Sequence, residues 1–264
     1  MPNSLGESDK AEAQSGRAGV VHGRQPDAHP NIAMIAAACG FDGVYIDLEH
    51  NPRSLETAAA ICVAALGPSA LHPSPVSAPA TRDATRILDC SAQGVMVPHV
   101  STVAEARAVV ESCRYPALGH RSASSSGPAR GYAARSQGEI NAYLNEQTLL
   151  IAMLETPEAI ENADAIAAVD AIGRHPHRVL RSQHGNGHSW SINACAHAFG
   201  YEVTAKAARS HGKSFGVGGV RENLEFQTWL IELGMRYLTG GSDVGYILSA
   251  GRADVKRIRE VRLS

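Results

Sequence analysis

Short apolar runs of strand length alternate with segments of helical period along most of this chain, and that alternation limits the fold more than any single motif does. Helical patterns recur at 31–39, 54–66, 82–92, 103–112, 158–168, 201–211, 223–233 and 244–259. Between them lie Val44–Ile46, Gly94–Pro98, Leu149–Leu154 and Phe215–Val220, with a short run at Tyr237–Thr239. Weaker runs at Gly19–Val21, Ser69–Leu71 and Ala171–Ile172 complete a set of eight strands. Strands separated by helices are joined in parallel, and eight such units in 264 residues predict a closed (β/α)8 barrel. The expected layout is a loose tail over residues 1–18 and one barrel domain over 19–264. The Gly/Ser-containing stretch Gly119–Gly138 is expected to be a βα loop covering the barrel mouth.

Two of the apolar runs end in acid. Gly43-Val-Tyr-Ile-Asp47 continues into Leu48-Glu49-His50, and Leu149–Leu154 continues into Glu155. Thr156-Pro157-Glu158 then opens a helix, with threonine as cap and proline at the first helical position. A lone carboxylate at a strand end is usually a cap or a solvated loop group. Two at the C-terminal ends of parallel strands point to the end where barrel enzymes carry their active sites.

Charge and composition exclude other classes. A net charge of −2 with no extended Lys/Arg run offers nothing to nucleic acid or to an anionic membrane, so a small molecule is the expected partner. Five scattered cysteines, without a Cys-x-x-Cys pair, suggest neither a disulfide framework nor a zinc knuckle. Residues 1–18 lack the apolar core of a secretory signal, and a cytoplasmic protein is expected.

Ala38–His50, Ile87-Leu-Asp89 with Gly94–Pro98, Arg114–Arg121 and Leu154–Ala159 resemble the corresponding motifs of the HpcH/HpaI aldolases, of the 4-hydroxy-2-oxoheptanedioate and 2-dehydro-3-deoxyglucarate aldolase type. The resemblance runs from about residue 30 to the C-terminus. It implies a (β/α)8 barrel of the phosphoenolpyruvate/pyruvate type and a metal-dependent aldolase. Such an enzyme cleaves a 4-hydroxy-2-oxo acid to pyruvate, or a close analogue, and an aldehyde. It also implies a divalent ion (Mg or Mn, with Co or Zn as alternatives), a homo-oligomer (trimer or hexamer) and a C-terminal helix exchanged between subunits. By that resemblance Glu155 is a metal ligand, His50 the acid/base group and Asp89 its orienting partner. A divalent cation suits the enolate charge that aldol cleavage generates, and an imidazole suits the proton transfer.

The chemistry of the residues favours the metal route independently. A Schiff-base aldolase needs a lysine in the mouth. The four lysines are Lys10 in the tail, Lys206 and Lys256 in helical patterns, and Lys213 before a strand, at the wrong end.

Three stretches, near 22–28, 72–80 and 173–199, depart from the family pattern. Where a second metal carboxylate is expected, Gly173–Ser191 carries charge, Pro176 and the histidines 175, 177, 184 and 188, with His197 close behind. That is a poor central strand. Read one base out of frame, degenerate codons for 173–191 admit an apolar strand, a glycine and the missing aspartate. The same shift turns His72-Pro-Ser-Pro75 into a sequence bearing an arginine, the family's substrate-binding residue. Taken literally, Arg181 stands where an anionic ligand is expected. Weak metal affinity and weak aldolase activity follow, and the alternative reading is an impaired or noncatalytic barrel acting as a binding or scaffold protein. Lysis of a coenzyme A ester would call for a basic patch, and no such run is evident.

Other residues carry less. Glu49 should point away from His50 along a strand and is not counted as a ligand, while His99 could line the mouth or be structural. Met153 reads as barrel filling, and Gly216, Gly218 and Gly219 as close packing instead of a phosphate cradle.

Overall fold

The computed structural model describes residues 19–23, 29–52, 54–67, 75–77, 81–123, 127–132, 135–172, 179–182, 194–220 and 223–260. The expected tail, the run Ser69–Leu71 and histidines 175, 177, 184 and 188 lie outside them. In chain order the elements are β1 (Gly19–Gly23), α1 (Asn31–Ala38), β2 (Gly43–Val44), β3 (Ile46–Asp47), α2 (Leu55–Ala65), β4 (Pro75–Ser77), α3 (Thr81–Asp89), β5 (Gly94–Val97) and α4 (Val103–Cys113). There follow α5 (Gln137–Gln147), β6 (Leu149–Leu154), α6 (Pro157–Glu161), α7 (Ala163–Ala167), β7 (Val179–Ser182), α8 (Ala194–Ser210), β8 (Ser214–Gly218), α9 (Leu224–Glu232), β9 (Met235–Ser242) and α10 (Asp243–Arg259).

All strand pairs are parallel, in the order β2-β1-β9-β8-β7-β6-β5-β4-β3. The two end members, β2 and β3, are consecutive in the chain and separated only by Tyr45. One extended stretch therefore pairs with β1 through Val44 and with β4 through Ile46.

Side chains alternate across a strand, so one strand can serve two cores. On β6, Leu150, Ala152 and Leu154 pack into the large cluster shared with the helices. Leu149, Ile151 and Met153 join Tyr45, Met96 and Tyr237 in a second cluster, which supports the reading of Met153 as filling. The six residues of β6 are all buried, as expected for a parallel strand covered on both faces. Gly216 of β8 is a packing glycine, since an added Cβ would lie 2.8 Å from the Cβ of Tyr237 on β9.

Local chemistry sets the helix starts. Ser54 accepts from the Thr57 N–H, Thr102 and Glu105 form a reciprocal capping box, and Ser136 and Glu139 form another. These bonds satisfy amide groups that the first helical turn leaves open. No described helix is long and apolar enough to cross a membrane.

The structure corrects three expectations. The strand placed at Ala171–Ile172 is instead a turn, with Ala171 at φ 68°, and the strand of that unit is β7. β4 lies at Pro75–Ser77, and the run Ser69–Leu71 is outside the described residues. Helix α5 was not expected, although Ser136-Gln-Gly-Glu139 carries its capping signal. Finally, Gly119–Gly138 is not a βα loop: it follows α4 and leads to α5 and β6, so it returns the chain to the N-terminal ends of the strands. Its contacts agree, because Ala129 N–H donates to Ser91 Oγ, just ahead of β5, at 3.3 Å.

β1, β4 and β7 fall within or beside the three stretches that depart from the family pattern. β7 pairs with neighbours on both sides, along Ala152–Leu154 and along Ser214–Val217.

Candidate active site

Three strands, β3, β5 and β6, deliver their next residues to one place. Asp47, at the end of β3, is 1% exposed, and its Oδ1 accepts the N–H groups of Glu49 (2.9 Å) and His50 (3.0 Å). Its Oδ2 accepts from Asn51 Nδ2 at 3.2 Å. The carboxylate thus folds the chain into a turn directly after the strand. Strand alternation stops at Asp47, so Glu49 is aimed by that turn, and the expectation that it points away fails.

Across from it, Pro98-His99 follows β5. His99 has φ 57°, a left-handed conformation uncommon outside glycine, and its N–H donates to Glu155 Oε2 at 3.0 Å. The ring lies between two carboxylates, with Nε2 at 2.9 Å from Glu49 Oε1 and Nδ1 at 3.3 Å from Glu155 Oε2. His50 Nε2 stands 3.9 Å from Glu49 Oε2, beyond hydrogen-bond length, with its side chain 49% exposed. The two glutamates are mostly covered, at 16% and 15%.

The loop bearing His99 is pinned to the end of β6. Val100 N–H donates to the Met153 carbonyl (3.2 Å), and the Ser101 and Thr156 hydroxyls meet at 2.8 Å. Asn162 Nδ2 donates to the Ser101 carbonyl at 2.9 Å. The N–H groups of Ser101 and Thr102 hold the Glu105 carboxyl below the usual carboxylate range.

Asp89 is elsewhere. It ends α3, ahead of β5, and accepts from Arg121 Nη2 at 2.7 Å, while the Arg121 guanidinium stacks over the Tyr115 ring at 4.6 Å. This cluster sits at the N-terminal ends of the strands: neighbouring Arg114 donates to the carbonyls of Thr148, just before β6, and Ala171, ahead of β7. Within one chain Asp89 and His50 therefore lie at opposite ends of the sheet, and the expected pair is not formed. Glu155 and His50 do lie at one end, linked through His99 and Glu49. The sequence pattern turns Glu49 away from His50 and leaves His99 open between a mouth-lining and a structural role, whereas the structure brings both to this end of the sheet. The signal available was a polar residue two positions past the end of a buried strand in each case.

Lys213 precedes β8 and donates to the Val169 carbonyl at 2.7 Å, at the end remote from Glu155, as expected. Among the described residues no three His, Cys, Asp or Glu side chains converge on one point. Glu49 lies on the far side of the His99 ring from Glu155.

Residues 25–174 match the family described as HpcH/HpaI aldolase/citrate lyase. The chain is 32% identical over 243 residues to the 4-hydroxy-4-methyl-2-oxoglutarate aldolase cghB of Chaetomium globosum, covering 90% of each. It is 40% identical over 152 residues to a 4-hydroxy-2-oxovalerate aldolase of Novosphingobium aromaticivorans, 55% of each. In fold it is similar to the crystal structure of the HpcH/HpaI aldolase from Desulfitobacterium hafniense DCB-2, with a TM-score of 0.81 at 23% identity, covering 96% of this chain and 97% of that one. The carboxylate-rich strand tips thus sit in a chain that belongs to the HpcH/HpaI aldolase/citrate lyase family, whose named relatives make it a carbon–carbon lyase.

Proposed function

We propose that the chain is a divalent-metal-dependent aldolase cleaving a 4-hydroxy-2-oxo acid to pyruvate, or a close analogue, and an aldehyde. The observation that carries this reading is the chain of contacts that links His50, Glu49, His99 and Glu155 at the C-terminal ends of three parallel strands. The continuity of β2 with β3 through Tyr45, pairing with β1 on one side and β4 on the other, supports a closed (β/α)8 barrel around them. The relatives' names, aldolases of 4-hydroxy-4-methyl-2-oxoglutarate and of 4-hydroxy-2-oxovalerate, support the substrate class.

The residues fit a divalent cation: two covered carboxylates flank the site, and a ring nitrogen faces one of them. Glu155 would hold the ion, which as a Lewis acid stabilises negative charge developing on the keto acid. The proton of the C4 hydroxyl must leave as the C3–C4 bond breaks, and C3 must gain one. His50 Nε2, half-exposed and not hydrogen-bonded to Glu49, is available for that transfer. Asp89 could orient His50 only from another copy of the chain, in the homo-oligomer that this reading includes. A cytoplasmic setting is part of the same proposal.

The test is pyruvate release, followed by coupled NADH oxidation, from 4-hydroxy-4-methyl-2-oxoglutarate and 4-hydroxy-2-oxovalerate with Mg or Mn and with a chelator. Metal-dependent release is expected, falling at least about a hundredfold in Glu155→Gln with unchanged thermal stability. Absence of release with any divalent ion would overturn the reading. Binding of metal and pyruvate without turnover would favour the impaired barrel.

A further inference from the structure

We infer that Thr239 is a substrate-binding residue, whose hydroxyl donates to an oxygen of the pyruvate half of the 2-oxo acid. This inference rests on the aldolase reading above and adds a contact from β9, away from the strands that carry the carboxylates and histidines.

Thr239 faces the inside of the sheet because β9 is irregular. Met235 packs in the cluster shared with the helices and Tyr237 in the inner one, although residues two apart on a regular strand share a face. The pairing with β8 explains this. Phe215 opposes Met235 and Gly216 opposes Tyr237, so Arg236 is an extra residue that turns the strand over. Alternation then resumes: Leu238 returns to the helix-side cluster, and Thr239 falls on the inner face, two residues nearer the C-terminal end than Tyr237. A second irregularity follows at once, since Val21 opposes Thr239 while His22 opposes Gly241. Bulges are concentrated at barrel rims and beside active sites, where they re-aim side chains.

The pairings also place Thr239 relative to the site. Leu154 opposes Ser182 and Ser182 opposes Val217, so Gly218 and its partner Thr239 stand one step further along, on the row that leads to Glu155. Phe215 and Val217 pack on the helix side, which leaves Gly218, with no side chain, beside Thr239 on the inner face. In a barrel closed through Tyr45, β9 lies four strands from β5 in either direction and faces it across the mouth. A keto acid held at Glu155 and His50 therefore turns its remaining edge towards β9.

The hydroxyl is the reason to expect a ligand there. Thr239 is half-buried, yet its Oγ1 is covered and has no hydrogen-bond partner among the described residues. A buried polar group without a partner is costly, and valine would fill the same shape without that cost. The backbone of Thr239 pairs on both sides, with Gly218 and with Val21, so the part left accessible is the methyl side. A turn of about 120° about χ1 exchanges methyl and hydroxyl between staggered positions. The hydroxyl then leaves surroundings that offer it no bond and meets an anionic oxygen, to which a donated bond is stronger than to a neutral one.

The experiment compares the full-length wild type with Thr239→Val and Thr239→Ser, each with Mn(II). Pyruvate binding is read by calorimetry, KM for 4-hydroxy-4-methyl-2-oxoglutarate and for 4-hydroxy-2-oxovalerate by pyruvate release, and stability by thermal unfolding. Thr239→Val should melt at or above the wild-type temperature, because it removes an unsatisfied hydroxyl. It should also bind pyruvate about tenfold more weakly and raise both KM values by the same factor. Thr239→Ser, which keeps the hydroxyl, should restore pyruvate affinity to within about twofold of the wild type. Pyruvate affinity unchanged in Thr239→Val, or a melting temperature clearly lowered in it, would overturn the assignment, the second by showing a structural partner. KM raised for one substrate alone would overturn it too, by placing the contact on the aldehyde half. All three leave the aldolase reading intact, whereas a wild type that binds no pyruvate with any divalent ion would sink both.

Discussion

Replacing Arg114 with methionine should cost this fold more than any change in the active site. Arg114 is fully buried, with Nη1 donating to the carbonyls of Asn145 (2.6 Å) and Thr148 (2.9 Å), and Nη2 to that of Ala171 (2.9 Å). It ties the end of α4 to the last turn of α5, to the residue before β6 and to the turn that leads towards β7. Methionine keeps much of the volume but leaves three buried acceptors without that donor, at about 1–3 kcal/mol each. Partial relaxation and water entry make the sum less than additive, so about 4 kcal/mol is expected, against a total of about 5–15 kcal/mol for a folded domain. Urea unfolding followed by circular dichroism reads this directly. With a slope near 3 kcal/mol per molar, the midpoint should fall by about 1.3 M. Arg114→Lys, which keeps the charge but cannot span three carbonyls, should fall roughly half as far. A midpoint shift below about 0.3 M for the methionine variant, at unchanged slope, would refute the view that these bonds hold the N-terminal ends of the strands.

Two further outcomes test the rest. Asp89→Asn breaks the 2.7 Å pair with Arg121 and should lower stability by about 1–3 kcal/mol; activity lost at unchanged stability would instead show Asp89 reaching the His50 of another copy. Burial pushes the Cys62 thiol up to about 12 and that of Cys113 up to about 11, from an ordinary value of 9.0. The native state keeps those protons longer than the unfolded chain does, so the stability they confer is complete below about pH 8.5 and is lost as pH rises towards 11–12. Urea midpoints should therefore fall between pH 8 and pH 10, less steeply in Cys62→Ala, and an equal slope in that variant would contradict the assignment.

The sequence was most legible at β6, where a long buried strand meets a polar tip. β6 is as expected, because an uninterrupted apolar run ends in a capped helix start, and Glu155 follows at its tip. β7 was placed too early because its own residues, Val-Leu-Arg-Ser, carry a charge, and main-chain pairing with β6 and β8 gives no sequence signal. Glu49 was misdirected because strand periodicity was carried past Asp47, where two backbone N–H groups bonded to one carboxylate bend the chain instead. Asp89 followed a resemblance, and only the fold shows that the end of a helix returning from the sheet lies far from the tip of a strand. Helix α5 was missed although its capping box was present, because Gly138 and the serines before it read as loop.

The position of β1 has a consequence for biosynthesis. It pairs with β2, a neighbour in the chain, and also along Gly19–Gly23 with Tyr237–Ser242. A growing polypeptide emerging from the ribosome cannot satisfy that second edge until almost its whole length is made, so the amide and carbonyl groups along one side of its first strand stay unpaired throughout translation. Chains released early, short of β9, would carry that open edge permanently, and would be substrates for chaperones and proteases in place of a shorter working enzyme.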